Sequence, residues 1–179
     1  LDALNSLLDT LHPFKCLQKS LNHQECMASA EILSPAIPFI LVNLAQRLKV
    51  PMLVITPRPE DSIHLYGQME MWNSHNSPLL HFPETETLPF EHMNGESFTT
   101  HQRISVLSTL ITQSHTVPIV LASAEAVTHK TISKKVFMST YHNLKKNDDI
   151  DPNELIRQWN SMGYQMESSV RSPGTISRR

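Results

Sequence analysis

The stretch Pro51-Met52-Leu53-Val54-Ile55-Thr56-Pro57 decides the fold class of this chain. A run of four apolar residues directly after a proline is typical of a strand that is buried on both faces. Two later runs are similar, since Leu79 to Phe82 follows Pro78 and Ile119 to Ala122 follows Pro118. The sequence therefore predicts three short strands inside a core.

Helical patterns alternate with these strands. The helix after the first strand begins at Pro59, where a proline followed by two acids suits a first helical turn. Another helix spans about residues 97–114. Alternation of helix and strand predicts a parallel sheet covered by helices. The residues predicted to face the sheet are Ile37, Ile40, Leu41, Leu44 and Leu48 before the first strand, Ile63, Tyr66 and Met69 after it, and Ile104, Leu107, Leu110 and Ile111 in the third helix.

The two ends of the chain have different patterns. Leucines at positions 1, 4, 7, 8 and 11 predict helix over the first 30 residues, interrupted at Pro13 and packed on the sheet domain. After Thr128, a loose alternation over residues 136–144 predicts a strand. The sequence Asp151-Pro152-Asn153-Glu154 predicts a helix with an Asp N-cap, and Gly163 predicts its end.

Two further strands are predicted near the C-terminus, over residues 165–171 and from Thr175 to 179, with a turn at Pro173-Gly174. The predicted organisation is therefore a helical extension (1–30), an α/β domain (31–127) and part of a small α+β domain (128–179). The last domain is expected to be incomplete because the chain stops inside a predicted strand.

Charge is unevenly distributed along the chain, although its net value is only −2. Residues 1–127 carry six Lys or Arg against twelve Asp or Glu, whereas residues 128–179 carry nine against five. This asymmetry predicts two modules with different partners. The acidic N-terminal part argues against direct binding of DNA, which needs a basic stripe with aromatic residues.

A cytoplasmic setting is expected. The two cysteines form no disulfide framework, and the start of the chain lacks the basic and apolar regions of a signal peptide. The longest apolar run is far shorter than the roughly 20 residues that span a bilayer, so no membrane contact is expected.

The sequence lacks the residues that would grip a nucleotide. Its four glycines are Gly67, Gly95, Gly163 and Gly174, and no lysine follows any of them. A phosphate-binding loop needs glycines, so that backbone N–H groups can wrap the phosphates, and a lysine. We therefore expect no ATP hydrolysis and no cofactor in this chain.

Other chemistry receives little support. Cys16, His23 and Cys26 supply only three metal ligands at a spacing that matches no common zinc finger, so a buried thiol and a surface histidine are favoured over a metal site. Glu84 and Glu86 follow the second strand and could act as an acid–base pair, but a structural or solvated role is favoured. Ser123 lacks the glycines of a nucleophile elbow. No catalytic residue is therefore assigned.

Four stretches resemble the N-terminal module of the transcription-repair coupling factor (Mfd) family, in the family's order and spacing. Residues 80–91 (LHFPETETLPFE) resemble the family's hFPxxETLPYE segment. Residues 102–107 resemble its QRLxxL helix, and residues 51–57 its PVLVVTP strand. The fourth stretch, Gly163-Tyr164, Val170, Pro173-Gly174 and Arg179, resembles GYxxVxxVxxPGEFxxRG. The resemblance covers residue 34 to the end of the chain.

This resemblance implies a RecA-like domain without its phosphate loop, similar to domain 1a of UvrB, and a small α+β domain that binds UvrA. The implied role is recruitment of UvrA to stalled RNA polymerase in nucleotide-excision repair. The ATP, magnesium, polymerase and DNA contacts of the family belong to segments outside this chain. The alternative is a UvrB-like or helicase domain with residual binding of ATP or DNA.

Three arginines are the candidate UvrA contacts. Arg179 matches the family arginine that contacts UvrA, while Arg178 stands where the family often has a small or apolar residue. Arg171 lies on or beside the neighbouring predicted strand. Strand alternation predicts Ser177 and Arg179 on one face and Arg178 on the other. A solvated basic edge that discourages strand aggregation is the alternative role.

Overall fold

A computed structural model describes residues 2–22, 27–73, 77–85, 98–112, 117–146, 148–171 and 174–178. The chain divides into two compact units. Unit 1 comprises residues 1–85 and 102–128, and unit 2 comprises residues 86–101 and 129–179.

Unit 1 contains a three-stranded parallel sheet. Its strands are β1 (Met52–Thr56), β2 (Leu79–Phe82) and β3 (Ile119–Ser123), in the order β1-β3-β2. Val54 and His81 flank Leu121 in the shared register. The three predicted strands and the mixed α/β class with a helix-flanked parallel sheet are confirmed.

Helices surround this sheet and also precede it. A 3-10 turn, Ser34–Ala36, leads directly into the helix Ile37–Leu48. Proline lies in the first turn of that helix and of the helix Pro59–Trp72. Backbone N–H groups in a first turn have no partner within the helix, so proline costs no hydrogen bond there. The helices are α1 (Asp2–Leu8), α2 (His12–Asn22), α3 (Ile37–Leu48), α4 (Pro59–Trp72), α5 (Phe98–Thr112) and α6 (Ala124–Thr128).

The main core of unit 1 lies between one face of the sheet and helices α3 and α4. Ile119 and Leu121 of β3 are completely buried there, and Met69 of α4 packs against them. Val42 and Ala45 of α3 complete the cluster. The central strand is therefore the best-shielded strand of the sheet.

The other face of the sheet is only partly covered. Val120 and Ala122 of β3 pack with Val106 of α5 and Ala126 of α6. Leu53 and Ile55 of β1, however, are 56% and 53% exposed. The prediction of strands buried on both faces is correct for β3 and wrong for β1, because β1 lies at the sheet edge beyond the covering helices.

The N-terminal helices pack on α3. Leu8 of α1 and Phe14 of α2 are buried against Leu44. Arg47 bonds to the Asp9 carboxylate and to the Asn5 carbonyl oxygen, the latter at 3.1 Å. Residues 27–33 have no regular structure, so the prediction of helix through residue 30 is wrong at its end.

Two helices are rotated about their axes relative to the predicted faces. Ile63 on α4 and Ile104 and Leu110 on α5 are exposed rather than buried. Ser62 and Arg103, each one residue earlier, are buried instead. A one-residue offset turns a helix by about 100°. The inward Arg103 side chain donates to two internal carbonyl oxygens, whereas the buried Ser62 hydroxyl has no hydrogen-bond partner among the described residues. The predicted burial of Tyr66 and Leu107 is found only in part, since each packs at the margin of its cluster.

Unit 2 contains α7 (Lys134–Thr140), α8 (Pro152–Ser161) and a parallel pair of two-residue strands, β4 (Gln165–Met166) and β5 (Thr175–Ile176). The predicted strand over residues 136–144 is wrong, because its first half is α7. The Ser133 side chain caps this helix by accepting a hydrogen bond from the Val136 N–H. Phe137 and Ile176 are buried.

Among the residues placed by the structure, no helix has the length and apolar character needed to cross a membrane.

Candidate partner-binding site

The carboxyl ends of the parallel strands are where sheet domains usually bind ligands. In unit 1, two polar side chains at this edge, those of Thr56 and Ser123, form internal hydrogen bonds. The Thr56 hydroxyl donates to the Arg58 carbonyl oxygen at 2.9 Å and closes the turn into α4. The buried Ser123 hydroxyl accepts the Ala126 N–H at 3.1 Å and caps α6. Both groups stabilise turns, and Ser123 has a structural role here.

Arg103 is the most unusual polar residue at this edge. It is 7% exposed, and its guanidinium donates to the carbonyl oxygens of Pro83 and Ala126. The guanidinium carbon lies 3.9 Å from the centre of the Phe82 ring, which is cation–π geometry. Arg103 therefore joins the end of β2 to α6 through α5.

This linking role of Arg103 was not predicted from the sequence. Arg103, Val106 and Leu107 have the i, i+3, i+4 spacing of an inner helical face. This spacing did not lead to a prediction that Arg103 is buried, because arginine is mostly found at the surface unless it is paired. Burial lowers the pKa of the guanidinium, and the nearby Glu84 carboxylate acts in the opposite direction.

Glu84 lies close to this arginine and also to His81. One carboxylate oxygen of Glu84 and Nε2 of His81 are buried without a hydrogen-bond partner among the described residues. Burial lowers the pKa of His81 from its usual 6.5, and the Glu84 charge opposes that effect. The candidate partner Glu86 lies outside the described residues, and the structure describes Glu84 as a neighbour of the Arg103 cation.

In unit 2, the start of α8 is built as the sequence predicts. The Asp151 carboxylate accepts the Asn153 N–H at 2.8 Å, and Pro152 occupies the first turn. This cap fixes the position of the first turn of α8, including the Asn153 side chain.

The end of α8 is also fixed by its sequence. Gly163 has φ of +96°, a conformation that residues with a Cβ rarely adopt. The Tyr164 N–H donates to the Trp159 carbonyl oxygen, and the Gly163 N–H donates to that of Asn160. These two bonds form a Schellman motif, and the Trp159 and Tyr164 rings lie 6.2 Å apart. The chain thereby turns from α8 into β4.

Arg178 links the residues after β5 to the first turn of α8. It lies two residues after β5, is exposed, and its guanidinium donates to Oδ1 of Asn153 at 2.8 Å. Since β5 ends at Ile176, the predicted alternation of Ser177, Arg178 and Arg179 across a strand is wrong for the residues described. The Ser177 hydroxyl instead donates to the Ser168 carbonyl oxygen at 3.0 Å.

The other two candidate arginines stand differently. Arg171 is exposed in the segment between β4 and β5, so the predicted strand over residues 165–171 is wrong beyond Met166. Arg179 and Pro173 lie outside the described residues. The structure thus places Arg171 and Arg178 in one small unit, with Arg178 held by a neighbour 25 residues away.

The possible metal ligands named from the sequence are only partly described. Cys16 is exposed on α2, whereas His23 and Cys26 lie outside the described residues. The buried thiol expected from sequence is therefore wrong for Cys16. Within the described ranges, no group of three or more His, Cys, Asp or Glu side chains could hold a metal ion.

Comparison with known proteins gives no family assignment. No family model matches the chain, and no curated protein matches it.

Proposed function

We propose that this chain is the UvrB-like N-terminal module of a transcription-repair coupling factor, and that unit 2 recruits UvrA to stalled RNA polymerase. Four collinear stretches support the family, and the helix-flanked parallel sheet agrees with a RecA-like domain. In this role the chain binds and performs no catalysis, and it works in the cytoplasm beside the repair machinery.

The observation that carries the proposal is Arg178, which is exposed to solvent and yet held in position. Its bond to Asn153 uses one of the five N–H donors of the guanidinium. Within the described part of the chain, the remaining donors make no hydrogen bond, so they can form a planar, two-pronged contact with a carboxylate. Because Asn153 lies in a capped first turn, the arginine loses little side-chain freedom on binding.

Local charge supports an acidic partner. Residues 128–179 carry nine Lys or Arg against five Asp or Glu. Arg171 adds a second exposed guanidinium in the same unit. A basic surface raises the rate of encounter with an acidic one and disfavours basic competitors. We therefore propose that Arg178 and Arg171, together with Arg179, face carboxylates of UvrA.

The test is a binding titration of UvrA against the whole chain, with Arg178→Ala as the main variant. Truncating one partner of a buried arginine–carboxylate pair costs about 2 kcal/mol or more, so Kd should rise about 30-fold. Asn153→Ala should weaken binding less, by about threefold, because it frees the guanidinium without removing it.

Arg157→Ala is the matched control. Arg157 is an exposed arginine on α8 of the same unit, so its removal changes the net charge by the same amount. We expect a change of no more than about twofold for this variant. Equal losses for Arg157→Ala and Arg178→Ala would reduce the effect to general charge and refute the assigned contact.

A further inference from the structure

We propose that His12 and Cys16 of α2 chelate a zinc-class divalent metal ion. The two residues stand four positions apart on a regular helix, so their side chains lie on the same face. Imidazole nitrogen and thiolate sulfur are the ligand pair that zinc and cobalt favour, whereas magnesium and calcium prefer oxygen.

The ligand atoms already have the spacing that a metal requires. The Cys16 sulfur lies 3.6 Å from Nδ1 of His12 and 3.8 Å from Nε2. Tetrahedral zinc, with bonds of about 2.3 Å to sulfur and about 2.0 Å to nitrogen, holds those two atoms about 3.5 Å apart. A metal can therefore enter with only a rotation of the exposed imidazole ring.

The helix that carries the pair is held independently of any metal. Phe14 of α2 is buried against Leu44 of α3, and Leu17 packs beside it. Pro13 fixes the backbone at the start of the helix. The backbone positions of His12 and Cys16 are thus preset, and metal binding has to order only their two side chains.

The site is open to solvent. Both residues are exposed, and within the described ranges the side chain of each forms a hydrogen bond only with the other. Two protein ligands leave two positions of a tetrahedral ion for water or for a group from another molecule. The site is therefore an exchangeable surface site, unlike the closed four-ligand sites that stabilise folds.

Lys19 provides an internal check on the position of the ion. It lies three residues after Cys16 on the same helix, so its positive charge opposes a bound cation. Lys19→Gln should tighten metal binding by about twofold, since a like charge at this spacing costs a few tenths of a kcal/mol.

The experiment is a titration of the whole chain with Co²⁺, followed by the thiolate-to-cobalt charge-transfer band and repeated by competition with Zn²⁺. Cys16→Ser should abolish the band, and His12→Gln should weaken binding at least tenfold. Far-UV circular dichroism should be unchanged in both variants, because neither side chain belongs to the core.

Two controls match these variants. His64→Gln removes an exposed helical histidine whose i+4 neighbour is Gln68, which supplies no thiolate. Cys26→Ser removes the other cysteine of the chain. Both should keep the band and its midpoint. Absence of a band in the unaltered chain, its survival in Cys16→Ser or its loss in Cys26→Ser would overturn the proposal.

Discussion

Replacing Arg103 by methionine should destabilise unit 1 by about 3 kcal/mol. Methionine retains much of the apolar stem and has a similar helix propensity, so the change isolates the guanidinium. The substitution leaves the carbonyl oxygens of Pro83 and Ala126 without their donor and removes the contact with the Phe82 ring.

The magnitude follows from opposing terms. Each charge-assisted hydrogen bond contributes about 1.5–3 kcal/mol, and the cation–π contact about 1–2 kcal/mol. Releasing a buried guanidinium to water recovers several kcal/mol of desolvation cost. The balance stays unfavourable because two buried carbonyl oxygens and the Glu84 carboxylate lose a cation that they face.

The assay is urea unfolding followed by tryptophan fluorescence. The chain has two tryptophans, Trp72 in unit 1 and Trp159 in unit 2, so Trp159→Phe leaves a reporter of unit 1 alone. With a slope of about 2 kcal/mol per molar urea, Arg103→Met should lower the midpoint by about 1.5 M.

Arg58→Met is the control, because Arg58 is an exposed arginine of the same unit. It should shift the free energy of unfolding by no more than about 0.5 kcal/mol. Equal midpoints for the two variants would refute the role of Arg103 as the connection between β2 and α6.

Three further predictions concern local features. Gly67→Ala should raise the free energy of unfolding by about 0.5–1 kcal/mol, since a Cβ there meets nothing within 4 Å. Gly163→Ala should lower it by about 1 kcal/mol because Gly163 has φ of +96°. Denaturant unfolding checks both substitutions, and shifts of the same sign would contradict the reasoning. Asp151→Ala should cost about 1 kcal/mol in unit 2 through loss of the cap, as read from Trp159 fluorescence, and an unchanged midpoint would contradict it. Burial lowers the pKa of His81 below 6.5, so the folded state binds this proton less readily than the unfolded state. The free energy of unfolding should therefore fall as the pH drops below about 6.5. His81→Leu should remove that part of the pH dependence, and an identical pH profile would show that His81 does not cause it.

Local signals explain what the sequence predicted well. The three strands are short, largely apolar runs after prolines, and the residues at the two ends of α8 carry its start and stop signals. Such signals act over a few residues and survive without knowledge of the tertiary fold. They correctly placed the three strands of unit 1 and the helices α3, α4 and α5 that alternate with them.

The helical and strand faces were harder to predict because they depend on neighbours that are distant in sequence. Leu53 and Ile55 look like core residues, yet their strand lies at the edge of the sheet. Ile104 has the pattern of a buried residue, yet Arg103 is buried instead, because its guanidinium donates to two carbonyl oxygens inside the unit. Alternation over residues 136–144 was too weak to outweigh the local cap at Ser133.

The candidate site shows the same limit. Basic residues near the C-terminus can be found by counting charges, and the resemblance selects among them. The support that Arg178 receives from Asn153 connects residues 25 positions apart, and no pattern along the sequence encodes it. Of the two described candidate arginines, Arg178 is the one that donates a hydrogen bond to a named side chain, although it departs from the pattern of the resembled family.

The central claim is that unit 2 provides the surface for UvrA, and hydrogen–deuterium exchange of the chain with and without UvrA tests it most directly. We expect slower exchange over residues 165–178 and in the first turn of α8 when UvrA is added. Residues 34–56 of unit 1 should exchange as they do in the free chain. Protection confined to unit 1, with no change over residues 165–178, would contradict the account.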